Sequence, residues 1–112
     1  MKPAYLYVFE QKGADRIKIG YTTKPVEQRR KQVQRETKLH TVTKWVKQYD
    51  SRQDAYHAEQ MALTHFDRYR TMGEYFQGIT VRDVKRYFRG GFGWWKLFMV
   101  LVVAAAAIGF LS

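Results

Sequence analysis

Tyr7, Lys18, Gly20 and Arg29 stand close together near the start of the chain, and each is a residue type that phosphodiester chemistry uses. A tyrosine hydroxyl can act as a base that activates a water. Lysine and arginine can hold phosphate oxygens, and arginine does so through a planar fork of donors. A glycine leaves room for a close-approaching backbone. A free tyrosine has a pKa of about 10, too high for a good base at neutral pH. Lys18 and Arg29 nearby would favour the phenolate and lower it. Lys18 itself suits phosphate contact better than proton abstraction, since losing its proton would need strong desolvation. Tyr7 can equally be a strand aromatic packed beside Tyr5 and Phe9.

Glu59 completes the set. Ala55, Ala58, Ala62, Leu63 and Phe66 recur at helical spacing and form one apolar stripe, with Glu59 inside it. An unpaired carboxylate should avoid such a face, because burying it is costly. Two explanations stand: a buried ion pair with Arg29 or Lys18, or a carboxylate that holds a divalent cation. Mg²⁺ keeps most of its waters and often takes only one or two carboxylates, so a single glutamate can serve. The metal would stabilise the leaving oxygen and the added charge of the transition state.

The elements that must position these residues follow from periodicity. Residues 5–9 and 16–21 alternate with period two and are joined by a turn of hairpin length around Gly13. Pro25 suits the first position of a helix and Glu27 its first turn, and the helix runs to about residue 38. It carries Arg29, Arg30, Lys31, Arg35 and Lys38, which form either a solvated basic face or a surface that grips DNA phosphates without reading sequence. Residues 41–49 are rich in β-branched and aromatic side chains and predict a third strand. Ser51 with Asp54 marks a capping box opening a long helix to about residue 70. Gly73, Glu74, Tyr75 and Phe76 make a turn into a short extended piece, and Thr80 with Asp83 opens a last helix over 81–88. The fold class is α+β, a small antiparallel three-stranded sheet flanked by helices.

The formal net charge of +10 over 112 residues favours a polyanionic partner, nucleic acid or anionic lipid. With no cysteine, disulfides and thiolate metal sites are excluded. Composition changes abruptly near Gly90. Residues 97–111 contain nothing charged or strongly polar, and at 1.5 Å per residue they span about 22 Å. Trp94 and Trp95 extend that run as an aromatic belt, and Lys96 can snorkel to headgroups, which predicts one C-terminal transmembrane helix with these three residues at the membrane interface. Arg82, Lys85, Arg86 and Arg89 precede the span and nothing basic follows it, so the positive-inside rule puts the N-terminal domain in the cytoplasm, anchored to the inner membrane. The same four cations read as juxtamembrane attraction to anionic lipid. The expected organisation is a domain over 1–89, a glycine-rich joint over 90–93 and a single-pass tail anchor over 94–112.

The ordered motifs resemble the GIY-YIG nuclease superfamily, in particular its phage and meiotic-gene DNA-binding branch. Tyr7 matches the tyrosine of the first motif. Lys18, Ile19 and Gly20 match the second, with lysine where many members have tyrosine. Arg29 matches the helix arginine, Glu59 the metal-binding glutamate, and Gly73 to Phe76 an ending typical of that branch. The resemblance covers about residues 5–76. It implies one-metal hydrolysis of DNA, with Mg²⁺ or Mn²⁺, by Tyr7, Lys18, Arg29 and Glu59, and no small-molecule cofactor. His57, His65, Gly20 and Glu74 would be accessory residues. The chain departs from the pattern in having no asparagine, and in carrying Val33 where many members have histidine.

Three functions follow as expectations: a membrane-tethered, metal-dependent DNA endonuclease; a DNA-binding module of the same fold, catalytically weak or inactive, held at the membrane; and a small basic membrane protein that binds lipid or a protein partner.

Overall fold

The computed structural model describes residues 2–90. Strands β1 (Ala4–Gln11) and β2 (Arg16–Thr22) form an antiparallel hairpin in which Tyr7 faces Gly20 and Phe9 faces Lys18. The turn between them needs left-handed backbone at Gly13 (φ 95°) and Asp15 (φ 52°), which glycine and aspartate tolerate best.

Helix α1 (Val26–Thr37) begins one residue later than the sequence suggests. Pro25 is its cap, with extended backbone (φ −54°, ψ 134°). At the other end Lys38 turns left-handed and its N–H donates to the Gln34 carbonyl at 2.8 Å. Strand β3 (Thr41–Tyr49) then pairs with β1, with a register shift between Val8 and Phe9. Helix α2 (Arg52–His65) opens where expected, the Ser51 hydroxyl accepting the Asp54 N–H at 3.1 Å.

Helix α2 stops short of residue 70. Phe66 turns into the core, and a 3₁₀ turn, Asp67–Tyr69, redirects the chain. Arg70 is thereby extended, in β4 (Arg70–Met72), which turns about Gly73 (φ 56°) into β5 (Tyr75–Phe76). The sheet has five antiparallel strands rather than three, in the order β3-β1-β2-β5-β4. The two extra strands are too short for period-two alternation to show in the sequence. Helix α3 (Val81–Gly90) has a complete capping box: the Thr80 N–H donates to Asp83 at 2.8 Å and the Asp83 N–H to the Thr80 hydroxyl at 3.2 Å. Gly90 is helical and is the last residue described, so the expected joint over 90–93 lies almost wholly outside the described residues.

Alternation along the hairpin divides the core in two. Leu6, Val8, Ile17 and Ile19 pack with Ala58, Ala62, Leu63 and Phe66 of α2 and Val84 and Phe88 of α3. Tyr7 and Phe9 pack with Val33 of α1. Because both sides are covered, β1 is almost wholly buried. Among the described residues no helix is long and apolar enough to cross a membrane. The expected span over 94–112, with Trp94, Trp95 and Lys96, lies outside them.

Candidate nucleic-acid cleft

Strand β5 pairs with β2 only at Ile17 and Lys18, and the Ile19 N–H takes the Glu74 carbonyl at 3.1 Å. Past that point β5 no longer covers the edge of β2. A cleft of about 400 Å³ opens there, where Tyr7 and Arg29 meet Glu59 and Glu74.

Tyr7 reaches the cleft by crossing its neighbour strand. A Cβ built on Gly20 would lie 2.5 Å from Cζ of Tyr7 and closer still to the hydroxyl. Gly20 is thus a close-approach glycine, but what approaches is the protein's own phenol ring and not a substrate backbone. The ring also stacks on Phe9, centroids 4.0 Å apart. The ring is core, as the packing reading of Tyr7 expects, and the residue also lines the cleft. Arg29 Nε donates to its hydroxyl over a long 3.4 Å.

Burial decides the phenol's ionisation. Tyr7 is 1 % exposed, and loss of solvent pushes its pKa up to about 12, although Arg29 pulls the other way. The expected lowering by Lys18 and Arg29 is overturned. Lys18 is not among the charges that move Tyr7, because it is paired with Glu74. Its ammonium is buried, 2.5 Å from the Glu74 carboxylate and 4.9 Å from the centre of the Tyr75 ring. Lys18 braces Glu74 and does not line the cleft.

Glu59 is 2 % exposed inside the apolar stripe. Neither Lys18 nor Arg29 pairs with it. Oε1 accepts from Gln60 Nε2 at 3.1 Å, and Oε2 is buried with no hydrogen-bond partner. Its pKa rises to about 7, first from burial and then from Glu74, through its negative charge and through the hydrogen bond that a protonated Glu59 donates to it. An orphaned carboxylate oxygen beside a second carboxylate is a donor set that a small, hard cation fits, because such a cation needs only one or two carboxylates and brings its own water. Among the described residues no group of three or more histidine, cysteine, aspartate or glutamate side chains could hold a metal. Any cation here would therefore rest on Glu59 and Glu74.

The remaining predicted residues divide. On α1, Lys31, Arg35 and Lys38 are exposed. Arg30 is tied down: it meets Glu27 at 2.5 Å and donates to Gln34 at 3.3 Å and to the Thr41 carbonyl at 3.0 Å, clamping α1 to the start of β3. His57 is exposed beside Tyr56, and His65 stacks on Tyr87 at 4.3 Å. Neither histidine lines the cleft. Val33, where histidine was expected, is buried against Tyr7 and Phe9.

Sequence reasoning missed Lys24, Arg52, Tyr21 and Gln32, all of which line the cleft. Arg52 had a signal: it stands seven residues, two helical turns, before Glu59 and so on the same face. Tyr21 and Lys24 simply continue the chain past Gly20. The lining carries the cations Lys24, Arg29 and Arg52 against the carboxylates Glu59 and Glu74, a combination suited to a metal-bridged phosphate.

The family described as the T5orf172 domain matches residues 4–95. It is a phage-associated domain related to nucleases of the GIY-YIG and HNH types. No curated protein and no solved structure matches the chain.

Proposed function

Since the chain belongs to the T5orf172 domain family, we propose that it is a DNA-acting phosphodiester hydrolase that uses Mg²⁺ or Mn²⁺ at the cleft between Tyr7, Arg29, Glu59 and Glu74. The observation that carries this reading is the buried Glu59 carboxyl beside the Glu74 carboxylate, a pair with no cation on the Glu59 side that shares a proton at neutral pH or a metal ion once Glu59 ionises. A protein that only bound DNA would gain nothing from that arrangement, which costs stability and repels phosphate. A bound cation would supply charge stabilisation for the phosphorane-like transition state and the departing alkoxide. Hydrolysis adds a water oxygen to phosphorus and releases one ester oxygen as an alcohol.

The chain's own groups divide the rest of the work. Arg29 holds a non-bridging oxygen through the face of its guanidinium not turned to Tyr7. Tyr7 stays protonated at working pH, so its hydroxyl orients the water and does not take its proton. Lys24 and Arg52 draw the strand into the cleft. Lys18 fixes the position of Glu74. The test is nicking of supercoiled plasmid by the full chain with Mg²⁺ or Mn²⁺, beside Glu59→Gln. Metal-dependent nicking lost in the variant supports the reading; intact plasmid with both proteins removes it.

One pair of observations favours a second reading, a DNA-binding module with little or no catalysis. Lys18 is neutralised by Glu74, and Tyr7 is pushed away from the phenolate. DNA binding that survives Glu59→Gln, falls with Arg29→Ala and comes with no nicking would establish it. In either case the apolar run over 97–111, behind Trp94, Trp95 and Lys96, would tether the domain to the inner membrane with its N-terminal part in the cytoplasm. Release of the full chain from membranes by alkaline carbonate would refute the tether.

A further inference from the structure

Outside the cleft, α3 and the start of β3 enclose a groove of about 740 Å³. Arg82, Lys85, Arg86 and Arg89 line one wall at i, i+3, i+4 and i+7, one face of the helix. That face is set outward because Val84 and Phe88 are buried on the other side. Lys44 of β3 adds a fifth cation from the opposite wall, and Glu10 of β1 is the one carboxylate in the lining.

Five cations outweigh the nearby acids Glu10 and Asp83, the second of which Arg86 and Arg82 influence only through space. None of the ion pairs among the described residues uses any of the five cations. Asp83, the acid nearest them along α3, is held at 2.8 and 3.1 Å by the N–H and hydroxyl of Thr80. Cations on an ordinary solvated face diverge into water, whereas here they converge from two elements on one concavity, which focuses their field.

We propose that this groove is a second nucleic-acid site, which takes the backbone of a phosphodiester strand. The proposal rests on the reading that the chain handles DNA, but not on its cutting it. Shape selects the ligand. A planar layer of lipid headgroups touches the rim of a concave site, while a single strand can reach half-buried Lys85 and Glu10 on the inside. Length agrees: the seven helical rises from Arg82 to Arg89 cover about 10 Å, some three steps of a strand that rises about 3.4 Å per nucleotide. A strand held here and in the cleft would be gripped at two places, which raises the effective concentration of the cleft for the same molecule.

The test is fluorescence anisotropy of the full chain with a labelled twenty-nucleotide strand and its duplex over a range of salt, for wild type, R82S/R86S, Arg29→Ala and the combined variant. Both serines replace exposed side chains, and circular dichroism checks the fold. R82S/R86S should bind at least ten-fold more weakly at low salt. Its slope of log affinity against log salt should fall by about 1.5, two contacts at 0.7–0.9 each. Adding Arg29→Ala should weaken binding by its own further factor, as independent sites do. Wild-type affinity and slope in R82S/R86S would overturn the proposal. So would loss of the preference for phosphatidylserine over phosphatidylcholine vesicles in that variant with DNA binding intact, which would make the groove a lipid surface. If Glu59→Gln leaves nicking unchanged while R82S/R86S lowers affinity, the cleft reading fails and the groove stands.

Discussion

The phenol of Tyr7 occupies the volume that a side chain at Gly20 would need. The two residues are a cross-strand pair, so the absence of one side chain is what lets the other cross the strand and reach Arg29. Gly20→Ala would push the ring off Gly20. We expect a loss of about 1–3 kcal/mol in stability, the usual cost of overpacking a core. Urea unfolding measures it, and Tyr7→Leu in the same chain should recover part of it; strictly additive losses would contradict the contact.

Glu59 should make stability depend on pH. Its folded pKa of about 7 lies above the ordinary 4.5. The unfolded chain thus releases the proton first, and stability falls as pH rises from about 4.5 to 7 and stays low above that. The full effect is at most about 3 kcal/mol at 1.36 kcal/mol per unit. Glu59→Gln should flatten this part of the curve and be the more stable protein at pH 8 in a chelating buffer. Urea midpoints across pH 4 to 8 would show no such convergence if Glu59 were ordinarily solvated.

Metal should offset most of that deficit. With Glu59 ionised at pH 8, Mn²⁺ should bind the folded state only, and at a hundred times its dissociation constant would add about 2.7 kcal/mol. The melting temperature of wild type should rise by several degrees and that of Glu59→Gln should not. Equal shifts in both proteins would put the metal elsewhere.

Activity, once measured, should rise with pH through the region of 7, as Glu59 ionises, with no limb assignable to Tyr7, whose pKa is about 12. Tyr7→Phe should lower the nicking rate by about ten- to a hundred-fold, in the range of general acid–base and positioning contributions, and leave the shape of the profile alone. A shape change confined to Tyr7→Phe would restore the phenolate as the base.

Arg30 and its neighbours on α1 should separate cleanly. Arg30→Ala removes the clamp to Glu27 and the Thr41 carbonyl and should lower the melting temperature, with little change in the salt slope of DNA binding. Lys31→Ala and Arg35→Ala change exposed side chains and should do the opposite. Thermal melts and salt titrations together decide it.

By itself the sequence determined most of the elements. Period-two alternation drew the hairpin, β-branched and aromatic content drew β3, and the side chains of Ser51 and Thr80 marked two helix starts through local hydrogen bonds that any folded context would keep. It also marked Tyr7, Arg29 and Glu59 as residues to watch, since a glutamate inside an apolar stripe is anomalous wherever the helix packs. The sequence could not decide partners. Lys18 and Glu74 lie 56 positions apart and join only because β5 pairs with β2. That pairing left Glu59 without the cation expected for it, cancelled the charge meant to lower the Tyr7 pKa, and ended early enough to open the cleft. Charge pairing and desolvation depend on distances through space, which period and spacing along a chain do not contain. They made Glu59 a weak acid and Tyr7 a weaker one, and so fixed what the cleft can do.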